Sequence, residues 1–259
     1  LDATLKHWTP ERVYEPGTTP AYSNYATALA GYIVERVSGL RFDDYVEGNI
    51  FAPLQMTQST FRQPLPDNLA PHMSQGYGQG LSKPEKFEFV IPAPAGSQSA
   101  SGTAMAKFMI AHLNGGAGLL RPETAKLMHD YRLDMIPGLH RMALGFYEQN
   151  INGHRGIAHG GDTSLFHSDL TLFVDDGVGL FVSVNSSGSE GAPRALRERL
   201  FDEFGNRYFP GQPVTARVDP ETSKKHVEQM AGNYFNSRGI RTNFLHILDL
   251  ISPIAIVRD

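Results

Sequence analysis

Two apolar runs, residues 170–174 and 178–184, flank Asp175-Asp176-Gly177. An Asp-Gly turn between two β-rich runs predicts a hairpin. Upstream, residues 142–149 read as a further strand, and Asn152-Gly153 supplies the turn into Gly156-Ile157-Ala158-His159-Gly160-Gly161-Asp162. The pattern predicts a meander of about four antiparallel strands. Adjacent glycines weaken a strand interior and mark a place where a backbone or ligand comes close. The strand holding Gly160 and Gly161 is therefore expected to form one wall of an active site.

Helical periodicity appears earlier in the chain. Tyr25, Ala28, Leu29, Tyr32, Ile33 and Val37 recur at helical spacing, with Ser23 or Asn24 as N-cap and Gly39 as the residue past the C-terminus. A second helix over 42–50 is expected to bury Phe42, Tyr45 and Val46 and to stop before Pro53. Residues 54–99 are rich in proline and read as loop, with a short strand at 87–91. So long an irregular stretch usually borders a binding cleft. Helix resumes over 103–114, stops at Gly115-Gly116, and restarts briefly at Pro122. Ser189 and Pro193 open a long helix that ends near Tyr208, with Leu196, Leu200, Phe201 and Phe204 as its apolar stripe. Residues 1–209 are expected to form one domain, 210–219 a linker, and 220–259 the start of a small β-rich module. The last apolar run, 251–257, is too short for a membrane span.

Composition narrows the function classes. The 259 residues are 41% hydrophobic and 19% charged with a formal net charge of −4, which gives no electrostatic case for nucleic-acid binding. There are no cysteines, which excludes disulfides, Cys-ligated metals and thiol nucleophiles. No signal peptide is visible.

The candidate chemistry lies in three regions. Tyr22-Ser23-Asn24 stands at a helix start, His159-Gly160-Gly161 on a strand, and Pro94-Ala95-Gly96-Ser97-Gln98-Ser99-Ala100-Ser101 leads through Ala106-Lys107-Phe108-Met109 to Asn114-Gly115-Gly116. Together these resemble serine hydrolases of the penicillin-binding-protein and class C β-lactamase superfamily, including β-lactamase-like esterases and D-amino peptidases. Tyr22-Ser23-Asn24 is similar to that family's Tyr-x-Asn motif and His159-Gly160-Gly161 to its Lys/His-Thr/Ser/Gly-Gly motif. Ala104 stands where the third pattern usually has Asp, which reads as a lost helix cap. The resemblance spans about residues 10–208.

The resemblance implies acyl transfer through an acyl-enzyme on an ester or amide. Tyr22 would move a proton to and from the nucleophile and leaving group, and Asn24 would hold the family's lysine and a substrate carbonyl. His159 would orient Tyr22 or meet a substrate carboxylate. Ser23, Gly160 and Gly161 would line the substrate, and the Asp162 N–H would serve the oxyanion hole. It implies a small-molecule or peptide substrate, no cofactor, and an extracytoplasmic location in a bacterium. No Ser-x-x-Lys is present, and Ser223 has Lys224 and Lys225 at the wrong spacing. Too few residues precede Tyr22 to hold the helix and strands that carry that motif in the family. The expectation is a serine hydrolase lacking its N-terminal part, inactive as these residues alone, with a sheet edge exposed to self-association. A non-catalytic binding or regulatory module derived from the same fold is the alternative.

Two rival readings are weaker. His154, His159 and His167 with Asp162 and Asp169 suggest a metal site, and strict extension would give His159 and His167 one parity. No His-Glu-x-x-His helix accompanies them. Gly76, Gly78 and Gly80 do not open a helix after a strand, so a nucleotide loop is not expected. His112 and His129 read as surface or packing residues. The fold class expected is α+β: an antiparallel sheet flanked by helices beside a mainly helical region, incomplete at the N-terminus.

Overall fold

The structure is a computed structural model; it describes residues 1–7, 9–79, 83–130, 141–211, 218–239 and 241–257, with side chains omitted at 249 and 250. It divides into two compact units, residues 1–8 with 24–212 and residues 9–23 with 213–259. Gly80 and most of the expected 210–219 linker lie outside the described residues.

The larger unit is α+β. Its helices are α1 (Asp2–His7), α2 (Asn24–Ser38), α3 (Phe42–Val46), α4 (Gly102–Leu113), α5 (Pro122–Asp130) and α6 (Ala192–Tyr208). Two short strands, β1 (Ser59–Thr60) and β2 (Ser99–Ala100), pair with each other. The main sheet is an antiparallel meander in the order β3 (Tyr147–Glu148), β4 (Ile157–Asp162), β5 (His167–Phe173) and β6 (Val178–Val184).

Both turns in the meander follow from the sequence. Asn152 and Gly153 take φ of 50° and 86°, the left-handed pair that a tight hairpin turn requires. Gly177, at φ 67°, closes the β5–β6 hairpin. The expected 142–149 strand shrinks to Tyr147–Glu148, extended by one bridge from Met142 back to Tyr147.

Alternation along β4 and β5 divides the sheet into two faces. Ile157, Leu170 and Leu172 point to one face and form a core with Met109 of α4 and Phe146. Thr171 and Phe173 point to the other, where Phe173 meets Phe204 and Phe209. That second face is where α6 packs, on β5 and β6. A smaller core joins Val46, Phe51, Met56 and Ala104.

Several local expectations are corrected. The second helix turns π-helical over Glu47–Phe51, where Glu47 accepts two bonds from the Arg62 guanidinium. The expected strand at 87–91 is irregular, because its ladder partner is a side chain. Gln63 Oε1 accepts from the Val90 N–H at 2.7 Å, and Gln63 Nε2 donates to Val90 O at 3.0 Å.

The cap of α4 is not lost with Ala104. Ser101 Oγ accepts from the Ala104 N–H at 3.2 Å, so the residue at that position needs only a backbone donor. On α6 the N-cap is Gly191, not Ser189, at φ 77°. The buried face of α6 runs through Pro193, Arg197, Phe201 and Gly205, while Leu196 and Leu200 face outward. The stripe is rotated because Arg197 is drawn inward by the carboxylates of β4 and β5. On α2, Ala28 and Gly31 are buried, while Leu29, Ile33 and Val37 are exposed.

The smaller unit carries α7 (Pro220–Met230), β7 (Gly232–Tyr234), α8 (His246–Ile251) and β8 (Ile254–Ile256), with β7 and β8 paired antiparallel. A β-rich start was expected, but residues 220–230 are helical. Asp219 explains the helix: its carboxylate accepts from the N–H groups of Glu221 and Thr222, and Pro220 stands in the first turn.

Candidate active site

The His-Gly-Gly segment lies in the C-terminal part of β4. β3 pairs with β4 only at Ile157 and Ala158. From His159 to Asp162 the strand pairs with β5, in the register His159–Leu170, Gly160–Asp169, Gly161–Ser168 and Asp162–His167.

The two glycines differ in what requires them. A Cβ on Gly160 would collide with Asp169 Oδ1, whereas a Cβ on Gly161 would meet nothing within 4 Å. Gly160 therefore makes room for a protein carboxylate on the α6 face. Gly161 leaves space on the opposite face, which it shares with His159. The His159 ring stacks on Tyr147 with centroids 5.2 Å apart and planes at 27°.

The α6 face of the same strand is held by one buried cation. The Arg197 side chain is 6% exposed and donates to Asp162 Oδ1 at 2.8 Å, to Ser168 O at 2.9 Å and to Pro193 O at 3.3 Å, and pairs with Asp169 Oδ2 at 3.2 Å. His167 Nδ1 also lies 2.7 Å from Asp162 Oδ1. Burial pushes the Asp169 carboxyl up from its ordinary range, against the opposing pull of Arg197. This network pins the C-terminal end of β4 to α6 and β5. It lines a groove of about 580 Å³ with Arg194, Glu198 and Asp202. The groove lies on the face away from His159 and Gly161.

The turn after β4 is anchored as well. Thr163 Oγ1 accepts from the Phe166 N–H at 3.1 Å, and Glu88 Oε1 accepts from the Ser164 N–H at 2.8 Å. The proline-rich loop is thereby tied to the end of the His-Gly-Gly strand. Burial pushes the Glu88 carboxyl up, but the donors of Ser164 and Thr163 outweigh it and hold the group below its ordinary value.

The remaining sequence candidates are placed as follows. Asn24 is the first residue of α2, and it belongs to the larger unit with His159, Gly160, Gly161 and Asp162. Tyr22 and Ser23 belong to the smaller unit. There the Arg238 guanidinium lies 4.5 Å from the centre of the Tyr22 ring. His159 and His167 do not share a face: the turn between β4 and β5 resets the parity, and His167 pairs opposite Asp162 while His159 pairs opposite Leu170. Among the described residues no group of three or more His, Asp or Glu side chains is arranged to hold a metal ion. No described helix is long and apolar enough to cross a membrane.

A family model described as Beta-lactamase matches residues 1–203. The chain belongs to the Beta-lactamase family. Over 48 residues it is 44% identical to a putative D-alanyl-D-alanine carboxypeptidase of Escherichia coli K12, which is 18% of this chain and 11% of that protein. Over 68 residues it is 31% identical to a probable hydrolase of Cochliobolus lunatus, 26% of this chain and 11% of that protein.

Among solved structures, the octameric penicillin-binding protein homologue from Pyrococcus abyssi matches with a TM-score of 0.61 at 21% identity, over 86% of this chain and 50% of that one. The β-lactamase/D-alanine carboxypeptidase from Pseudomonas syringae matches at 0.59 and 19%, over 76% and 62%. At such identities the likeness is one of fold: this Beta-lactamase family chain has the α+β fold of penicillin-binding-protein and β-lactamase type hydrolases. It spans about half to three fifths of these two solved relatives.

Sequence reasoning missed Arg197, Tyr147 and Arg238. Arg197 is a charged residue inside an amphipathic helix, and nothing local marks it as the one turned inward. Tyr147 was legible as a neighbour of the glycine strand once the Asn152-Gly153 hairpin was read. Arg238 has no local signal at all.

Proposed function

We propose that this chain supplies the Tyr-x-Asn and His-Gly-Gly parts of a serine-hydrolase apparatus that transfers an acyl group from an ester or amide through an acyl-enzyme. The clear space beside Gly161 carries the reading: nothing described lies within 4 Å of a Cβ built there, so a substrate can lie against the strand. In the proposed mechanism a hydroxyl nucleophile loses its proton to a basic group and attacks the carbonyl. Tyr22 receives and returns that proton, and Asn24, an amide with both donor and acceptor, holds the carbonyl and the base in register. His159 meets the substrate's polar end. Ser23, Gly160 and Gly161 line the substrate, and the Asp162 N–H donates to the developing oxyanion, the kind of contact that usually contributes most. The relatives' names, a carboxypeptidase and a β-lactamase, support a small-molecule or peptide amide as substrate. An extracytoplasmic location is part of the proposal and follows from the family resemblance alone. No cofactor enters the scheme.

The nucleophile is not among these residues, since no Ser-x-x-Lys occurs in the 259. Loss of the nucleophile costs a serine hydrolase on the order of a millionfold in kcat. Residues 1–259 are therefore expected to leave p-nitrophenyl acetate at its background rate of hydrolysis. Turnover that Tyr22→Phe abolishes would overturn this, because it would demand another nucleophile. The same absence favours a second reading, a binding or regulatory module descended from the hydrolase. The two separate on the gene: a Ser-x-x-Lys encoded before Leu1 supports the enzyme, and its lack supports the module.

A further inference from the structure

Two histidines from different helices meet inside the larger unit. His112, near the end of α4, is 8% exposed, and His129, near the end of α5, is 5% exposed. His112 Nδ1 and His129 Nε2 stand 2.9 Å apart. One nitrogen of that contact donates and the other accepts, so protonating both removes the bond. Phe108 and Phe146 lie against His112 with ring centres at 4.5 and 5.4 Å, and Phe146 lies 6.0 Å from His129. The charges that act on the pair are each other, Asp130 of α5, and Arg155 from the segment before β4. Asp130 already serves two cations, Lys126 and Arg155, and Arg155 also holds Asp175. A charged pair would therefore find no free carboxylate in Asp130.

A short path leads from these rings to the candidate site. The Leu144 N–H donates to Met128 O at 3.1 Å, which ties the segment before β3 to α5. The Ala143 N–H donates to Phe146 O at 2.8 Å. Phe146, itself 6% exposed, touches both imidazoles. The next residue, Tyr147, stacks on His159. All of these residues belong to the same compact unit.

We propose that the His112–His129 pair is an acid-operated latch on the site: when it takes up protons, α5 parts from α4, residues 143–147 follow, and Tyr147 releases His159. The effect on substrate rests on the reading of His159 as a substrate-facing residue. Two like charges in apolar surroundings, without their hydrogen bond, are relieved by exposing the rings to water. Burial, with the repulsion of His129, holds His112 down at about 4, and burial with Arg155 also lowers His129. An exposed imidazole titrates near 6.5, so the open form binds more protons and gains as pH falls from there. His112 alone then raises the opening constant about 30-fold between pH 7.5 and 5.

Hydrogen exchange on the isotopically labelled full chain reads that opening directly, and needs no nucleophile. Corrected for intrinsic rates, protection of the Leu144 amide is expected to fall about 30-fold between pH 7.5 and 5. The Leu172 amide of β5 should stay better protected than Leu144 at both values. The nuclear Overhauser contact between the Tyr147 and His159 rings should fade over the same range. N-acetyl-D-alanine amide, which is uncharged throughout, should bind more weakly at pH 5. His112→Phe with His129→Leu should remove these pH effects. His112→Gln with His129→Gln, which keeps a neutral hydrogen bond, should remove them too and serves if the first pair does not fold. A Tyr147 transition that survives both double variants overturns the latch, because the titration of His159 itself would then cause it. Equal protection of Leu144 and Leu172 also overturns it, since the whole domain would be opening at once. A ligand that moves no His159 or Gly161 signal at either pH overturns the functional reading, while the fall at Leu144 keeps the latch.

Discussion

Single residues in this protein show how strongly tertiary surroundings reset side-chain chemistry. His112 and His129 read from sequence as surface or packing residues, and the structure makes them a buried pair. His112 Nδ1 and His129 Nε2 are 2.9 Å apart between α4 and α5, beside Phe108 and Phe146. Burial, with the repulsion of His129, pushes the His112 pKa down to about 4. Burial and the nearby Arg155 cation also lower His129, against Asp130. The pair is neutral in the folded protein, one ring donating and the other accepting. Unfolded imidazole has a pKa of about 6.5, so between that value and about 4 the unfolded chain binds more protons. Stability is therefore full above pH 6.5 and falls as pH drops, by about 3 kcal/mol once pH is below about 4. Urea melts at pH 7, 5.5 and 4 measure the slope. The double replacement His112→Phe with His129→Leu should flatten it, and an unchanged slope would place the acid lability elsewhere.

At the level of elements, β4 works because each glycine answers a different neighbour. Gly160 is required by the Asp169 carboxylate, which Arg197 holds in place. Gly160→Ala is expected to cost about 1–3 kcal/mol, the usual range for forcing a methyl into filled space. Gly161→Ala should change stability by no more than about 0.5 kcal/mol, because nothing lies within 4 Å of the added carbon. Thermal melts of the two variants decide this, and equal losses would show that Asp169 yields easily. The sequence marked the pair of glycines as a site of close approach, but it could not tell the two apart. Which face meets a carboxylate depends on the register with β5. That register depends in turn on where the hairpin closes.

At the scale of the whole molecule, β6 is the terminal strand of the main sheet among the described residues, seven residues long and rich in valine. A long apolar edge strand is a template for pairing with another chain. The octameric state named for the Pyrococcus abyssi homologue belongs to that protein. For this chain, association through β6 is a prediction. Sedimentation equilibrium should show concentration-dependent dimers or larger species, and Ser183→Lys, a charge at an exposed position on that edge, should shift them toward monomer. Association that is indifferent to the substitution would locate the contact on another surface.

The sequence by itself determined the meander, its two turns and the family. Asn152-Gly153 and Gly177 take left-handed backbone, and alternating apolar runs leave little choice of partner; both are local constraints written in a few residues. It determined α2 and its stop at Gly39 for the same reason, since Gly39 at φ 73° donates to Glu35 O. Tertiary structure alone decided which side chains of α6 turn inward, because Arg197 and Leu200 are equally at home on a helix. The choice between them rests on Asp162 and Asp169, carboxylates from two different strands. It also decided that a glutamine side chain would replace a strand beside Val90. And it decided that Arg238 would stack on Tyr22, a contact between segments whose separation no periodicity spans.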